Sequence, residues 1–143
     1  MPHAQVPSPA ERVLLRSWRA AQGASPEDIA RLSEALPFTP PSDYIELLTR
    51  TNGGEGELAA APGWFQLFEV EFALSLWSDA FYRTEYPSYY FFGSNGGLES
   101  LALVIDGPTK GSVVAVDTIA GDESAILVAS EFTEFLDLVG VEE

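Results

Sequence analysis

A chain of 143 residues, 46% of them hydrophobic, is long enough for one domain with its own core, and 7 Lys+Arg against 22 Asp+Glu give a formal charge of −15. The 3 Trp, 5 Tyr and 9 Phe exclude a disordered acidic tail for the bulk of it, because such tails are poor in large apolar bodies. Cysteine is absent and the only histidine is His3, which excludes thiol catalysis, disulfides, Cys/His zinc sites and histidine acid–base chemistry in the core.

No charge-free apolar run approaches the roughly 18 residues of a membrane span, and the first residues lack the basic start and apolar stretch of a signal peptide. The expected address is the cytoplasm. Acidity is uneven along the chain: residues 1–50 hold five Arg and six acids, whereas residues 51–143 hold Arg83 and Lys110 against sixteen acids. Such a surface repels nucleic-acid phosphates and anionic membranes and attracts a basic protein.

After a Pro-rich leader, Ser8, Pro9 and Glu11 form an N-cap, first-turn proline and capping-box acid, which predicts a helix over 9–22 ending at Gly23. Trp18 lies there among Arg12, Arg16 and Arg19; packing is expected, with projection toward a partner as the alternative. Ser25, Pro26 and Asp28 open a second helix carrying Ile29, Leu32 and Leu36, closed by Pro37. A third runs over 41–51 with Tyr44, Leu47 and Leu48 on its buried face, and Asn52, Gly53 and Gly54 end it, as residues that tolerate the left-handed conformation.

Residues 55–62 read as a loop, Trp64 to Phe68 as a strand and 69–82 as a helix. The period then changes. Tyr89 to Phe92, Leu98 to Asp106, Gly111 to Asp117 and Ser124 to Val128 read as four strands of an antiparallel meander, because short glycine-rich turns separate them. Ser130 offers an N-cap for a last helix whose Phe132, Phe135, Leu136 and Val139 recur at i, i+3, i+4 and i+7.

The order and spacing of these motifs, ordinary singly, carry a resemblance. A proline-rich lead into the Tyr44 helix, NGG at 52–54, WFQLF at 64–68, FFGSNGGLES at 91–100, GSVVAVD at 111–117 and VASEFTEFL at 128–136 together resemble the SMI1/KNR4 (SUKH) superfamily over residues 26–138. Residues 1–25 then read as a leader and an added helix before a domain at 26–143. The resemblance implies an α+β fold, a twisted, mainly antiparallel sheet with helices packed against it. It assigns structural roles to the motif residues Asn52, Gly53, Gly54, Trp64, Gly93, Ser94, Gly96, Gly97, Phe132 and Phe135. Many bacterial members look like immunity proteins that silence a cognate toxin, often a nuclease, and fungal relatives look like regulators of cell-wall synthesis. One departure is Leu98, which stands before Glu99 where the family often has a more acidic or glycine-rich stretch.

The remaining candidate chemistry is sparse. Gly93 to Gly97 could turn amides toward a phosphate, but a P-loop continues with Lys-Ser/Thr into a helix, and here Leu98 and Glu99 lead into a strand. Carboxylate pairs such as Glu99 with Asp106, or Asp117 with Asp122, invite a glycosidase reading, but 22 acids in one chain make some proximity inevitable. Asp117, Asp122 and Glu123 lack the loop spacing of an EF-hand, and Ser94 and Ser130 have no histidine to activate them. No catalytic residue, metal or cofactor is expected.

Strand alternation sends Tyr89 and Phe91 to one side and Tyr90 and Phe92 to the other, so one pair faces outward unless both sheet faces are covered. Rings beside carboxylates suit a protein interface, with core filling as the plainer alternative. Tyr86, Tyr89, Tyr90, Asp106, Asp117, Asp122 and Glu123 are accordingly the expected contact set for a basic toxin domain. A regulatory scaffold acting on an endogenous protein, or a small-ligand or metal binder, are the alternatives.

Overall fold

The computed structural model describes residues 6–142, so the part of the leader that carries His3 lies outside the described residues. Ser8 caps α1 (Pro9–Leu14) as its neighbours suggest: its Oγ accepts from the Glu11 amide at 3.2 Å, and Glu11 Oε1 accepts from the Ser8 amide at 3.0 Å. The helix stops eight residues short of the expected end. Trp18–Ala20 instead form a strand, β1, paired with β2 (Gly54–Glu57) in a region expected to be a loop.

Side-chain fit overrides propensity here. The Trp18 ring packs 5.8 Å from that of Phe65, and a Cβ on Gly56 would lie 2.8 Å from the Trp18 ring and 2.6 Å from the Ser17 carbonyl. A glycine strand is poor by propensity but is what lets β1 lie this close. Gly23 has a related role: a Cβ there would meet the Thr49 carbonyl at 2.0 Å, so it serves close approach to a neighbouring helix rather than capping one.

Ser25 Oγ accepts from the Asp28 amide to open α2 (Pro26–Ala35), and α3 (Ser42–Arg50) buries Tyr44, Leu47 and Leu48. Past Gly53 and Gly54, both at positive φ, the chain reaches β2 and then β3 (Trp64–Leu67). The single helix expected over 69–82 is two, α4 (Val70–Trp77) and α5 (Ala80–Glu85). Between them Asp79 restarts the helix, its Oδ1 accepting from the Phe81 amide at 2.8 Å. β4 (Tyr89–Ser94), β5 (Glu99–Val104), β6 (Val113–Asp117), a 3-10 turn (Asp122–Ser124) and β7 (Ile126–Ala129) follow, ending in α6 (Phe132–Leu136). The N-cap of α6 is Glu131, without a side-chain bond, rather than Ser130.

Among the described residues seven strands pair with their sequence neighbours, antiparallel throughout, in one open sheet ordered β1 to β7. The chain therefore has the expected α+β architecture, an antiparallel sheet with helices packed against it. Strand alternation divides the core in two. On one face Tyr90, Phe92, Leu101, Leu103, Val113 and Ala115 meet residues of α1, α2, α3 and α6. Tyr44 sits at the centre, edge-on to Tyr90, Phe92 and Phe132, with its hydroxyl bonded to that of Tyr90. On the other face Phe91, Ala102, Val104, Val114 and Val116 are covered by Tyr82 and Tyr86. Both faces of β4 are covered, so neither aromatic pair is left bare.

Candidate functional site

The second, smaller core layer shapes the site. α5 crosses the sheet face carrying Phe91 and delivers Tyr86, whose ring lies nearly parallel to that of Tyr89, at 16° and 6.1 Å between centroids. Arg83 holds this arrangement. Its Cζ stands 3.6 Å over the Trp77 ring and its Nη2 donates to the Tyr89 carbonyl at 2.9 Å, tying α5 to the first residue of β4.

Where α5, the start of β4, the β5–β6 turn and the 3-10 turn meet, a groove of about 310 Å3 opens, lined among others by Glu85, Tyr86, Tyr89, Asp106 and Asp122. Tyr86, 4% exposed, forms its floor and donates its hydroxyl to the Thr118 carbonyl at 3.1 Å. Tyr89 donates its hydroxyl to Asp122 Oδ1 at 2.7 Å. Burial, and then the bond to Asp122 and its negative charge, push the Tyr89 pKa up to about 12. Burial, followed by the charges of Glu85 and Asp122, raises that of Tyr86. Both rings stay neutral hydroxyl donors at any physiological pH, while the carboxylates offer only acceptors. Among the described residues no Lys, Arg or His lines the groove.

Four of the seven residues expected to meet a partner, Tyr86, Tyr89, Asp106 and Asp122, thus line one depression. Tyr90 does not. It is 1% exposed on the opposite face, bonded to Tyr44, and burial raises its pKa; an aromatic on a strand reads as a surface ring only while one face is open. Asp117 accepts from the amides of Ile119 and Ala120 and so braces its own turn, and Glu123 is exposed beside Asp122. Among the described residues no group of three or more Asp, Glu or His side chains is placed to hold a metal ion. Glu85 lies beyond the helix expected over 69–82 and is legible only as the acid directly before Tyr86; the structure makes it the last residue of α5.

The motif residues have structural duties. Asn52 Oδ1 accepts from the Val70 amide at 2.8 Å and so caps α4, a helix eighteen residues on, rather than ending α3 in a left-handed conformation. Trp64 Nε1 donates to Glu55 Oε1 at 2.9 Å. In the β4–β5 turn Asn95 Oδ1 accepts from the amides of Gly97 and Glu99 while Ser94 Oγ accepts from that of Gly96, so side chains of the turn already occupy the amides a phosphate would need. Gly93 lets β4 pass close to the Phe65 ring, and Phe132 and Phe135 are buried in the main core.

The family model of the SMI1 / KNR4 family (SUKH-1) matches residues 23–138. The chain belongs to the SMI1/KNR4 (SUKH-1) family. Its match leaves out α1 and β1, which in this SUKH-1 chain supply Ala10 and Val13 to the core and one edge to the sheet. Comparison with curated proteins finds no match. No helix among the described residues is long and apolar enough to cross a membrane.

Proposed function

We propose that this SUKH-1 chain is a non-enzymatic immunity-type protein of the cytoplasm that occupies and silences a basic toxin domain through the groove between α5 and the β5–β6 turn. The observation that carries the reading is the gathering of Glu85, Asp106 and Asp122 around the stacked Tyr86 and Tyr89 with no cation among the lining residues. Carboxylates beside a ring face match an arginine or lysine side chain, which pairs with the acid and lies on the ring. Opposite fields speed encounter, and the half-buried ring of Tyr89, backed by the buried Tyr86, supplies area for a partner to cover. The resemblance to bacterial members that look like immunity proteins supports toxin binding; the fungal relatives that look like regulators support the alternative of a scaffold acting on an endogenous protein.

The test is protection in cells. Coexpression with candidate toxin domains is expected to rescue growth from one of them, and the triple change Glu85→Gln, Asp106→Asn, Asp122→Asn to weaken that rescue while the protein still folds. Rescue from none, together with stable capture of an endogenous protein, would replace immunity with the regulatory reading. Turnover of any substrate by the purified chain would end the non-enzymatic one.

A further inference from the structure

An open sheet has two edges, and this one treats them differently. β1 is three residues long and puts the exposed, charged Arg19 at its centre, a usual protection against stray pairing. β7, Ile-Leu-Val-Ala, carries no charge, and Ile126 and Leu127 are 44% and 66% exposed. Among the described residues no loop or helix backbone bonds to its outer side; its only ladder is with β6.

From these observations, and resting on the reading of a basic partner given above, we infer that the free edge of β7 takes up an extended segment of that partner, adding an eighth strand to the sheet. Edge and groove are continuous: Asp122, bonded to Tyr89, begins the 3-10 turn that runs directly into β7. Charge selects the occupant. Acids flank the apolar strand on both sides, Asp122 and Glu123 before it, Glu131 and Glu134 after it. Two copies of β7 paired antiparallel about a two-fold would set the Glu123 end of each against the Glu131 end of the other, like charge on like charge, in chains of −15 each. An incoming strand that alternates apolar and basic residues removes this repulsion, lays its apolar side chains beside Leu127, and satisfies the outward amides and carbonyls.

The test uses the full chain and a short synthetic peptide alternating valine and lysine, with two backbone N-methylated versions that block its alternate residues in opposite parity. In an added strand one parity faces β7 and the other faces solvent, so only one of the two methylated peptides should lose binding. The parent peptide should slow amide exchange in β7 by about tenfold or more and leave β1 unchanged. Leu127→Lys, at an exposed site, should weaken peptide binding several-fold more than Leu127→Glu, since both lose the apolar contact and only the lysine adds like-charge repulsion, with thermal unfolding of both variants near that of the parent.

No binding, equal binding of both methylated peptides, or protection elsewhere than β7 would overturn the inference. So would a concentration-dependent dimer of the free chain that Leu127→Lys abolishes, since the occupant would then be a second copy. If groove neutralisation removes toxin protection in cells while Leu127→Lys leaves it intact, the edge inference falls and the groove reading stands. If neither affects protection, both fall.

Discussion

The segment from α1 to α3 and the segment from α5 to α6 handle charge in opposite ways. In the first, four of the five arginines bond to other parts of the chain: Arg12 pairs with Asp137 at 2.9 Å, Arg50 with Glu46 at 3.0 Å, Arg31 with Asp28, and Arg16 donates to the carbonyls of Leu136 and Val139, both at 2.9 Å, while Arg19 is exposed on β1. In the second, residues 79–134, nine acids face two bases, and Arg83 is turned onto Trp77 and a backbone carbonyl rather than toward a carboxylate. Every ion pair among the described residues involves Arg12, Arg16, Arg31 or Arg50. Arginines of the first segment meet carboxylates, whereas the carboxylates of the second have no basic partner among the described residues and bond only to amides and hydroxyls of the fold. The contrast separates the paired arginines, whose loss should lower stability, from the groove carboxylates Glu85, Asp106 and Asp122, whose loss should act mainly on association.

The largest effect belongs to the core beneath both segments. Phe135, fully buried and edge-on to Phe65 at 5.1 Å, should cost about 3–5 kcal/mol when changed to alanine, measured by urea unfolding. Arg16→Ala removes two charge-assisted bonds to the end of α6 and should cost roughly 1.5–3 kcal/mol with no change in binding of a basic partner. A binding defect there instead would blur the comparison. Tyr44→Phe leaves the Tyr90 hydroxyl buried without its partner and should cost about 1–2 kcal/mol, whereas changing both to phenylalanine should restore most of the loss.

The tyrosines also set an alkaline limit. Unfolded, they ionise near 10.0; folded, Tyr44, Tyr86, Tyr89 and Tyr90 hold their protons to higher pH, so above that point the native state binds more protons than the unfolded one. Stability present below pH 10 should therefore fall as pH rises toward the Tyr89 value of about 12. Thermal unfolding across this range, flattened in the double phenylalanine variant of Tyr44 and Tyr90, checks it.

How far the sequence reveals this molecule depends on where the information sits. Helical periodicity in α2 and α3 and alternation from β4 to β7 are local, and both are legible. The strands β1 and β2 are not, because Trp18 looks helical among its arginines and GEGE looks like a loop until each is seen to require the other. The cap that Asn52 gives α4 is likewise a contact eighteen residues away. Tyr90 is buried where a surface ring is expected, because alternation tells which side a residue takes but not whether that side is covered. Asp106 and Asp122 could be picked by charge, and only the folded turns show that they share a groove with Tyr86 and Tyr89.

The smallest effect on stability should come with the largest on association. Neutralising Glu85, Asp106 and Asp122 together should lower unfolding free energy by about 1 kcal/mol or less, since no basic side chain among the described residues bonds to them and the carboxamide at 122 can still accept from the Tyr89 hydroxyl. The direct test of an acidic capture surface is the association rate of an arginine-rich peptide, followed from low to physiological salt for the parent and for this triple variant. The parent should associate fast and slow steeply as salt is added, and the variant should be slower at low salt with most of that dependence gone. Equal rates and equal salt slopes for the two proteins would contradict the claim that this groove captures a basic partner.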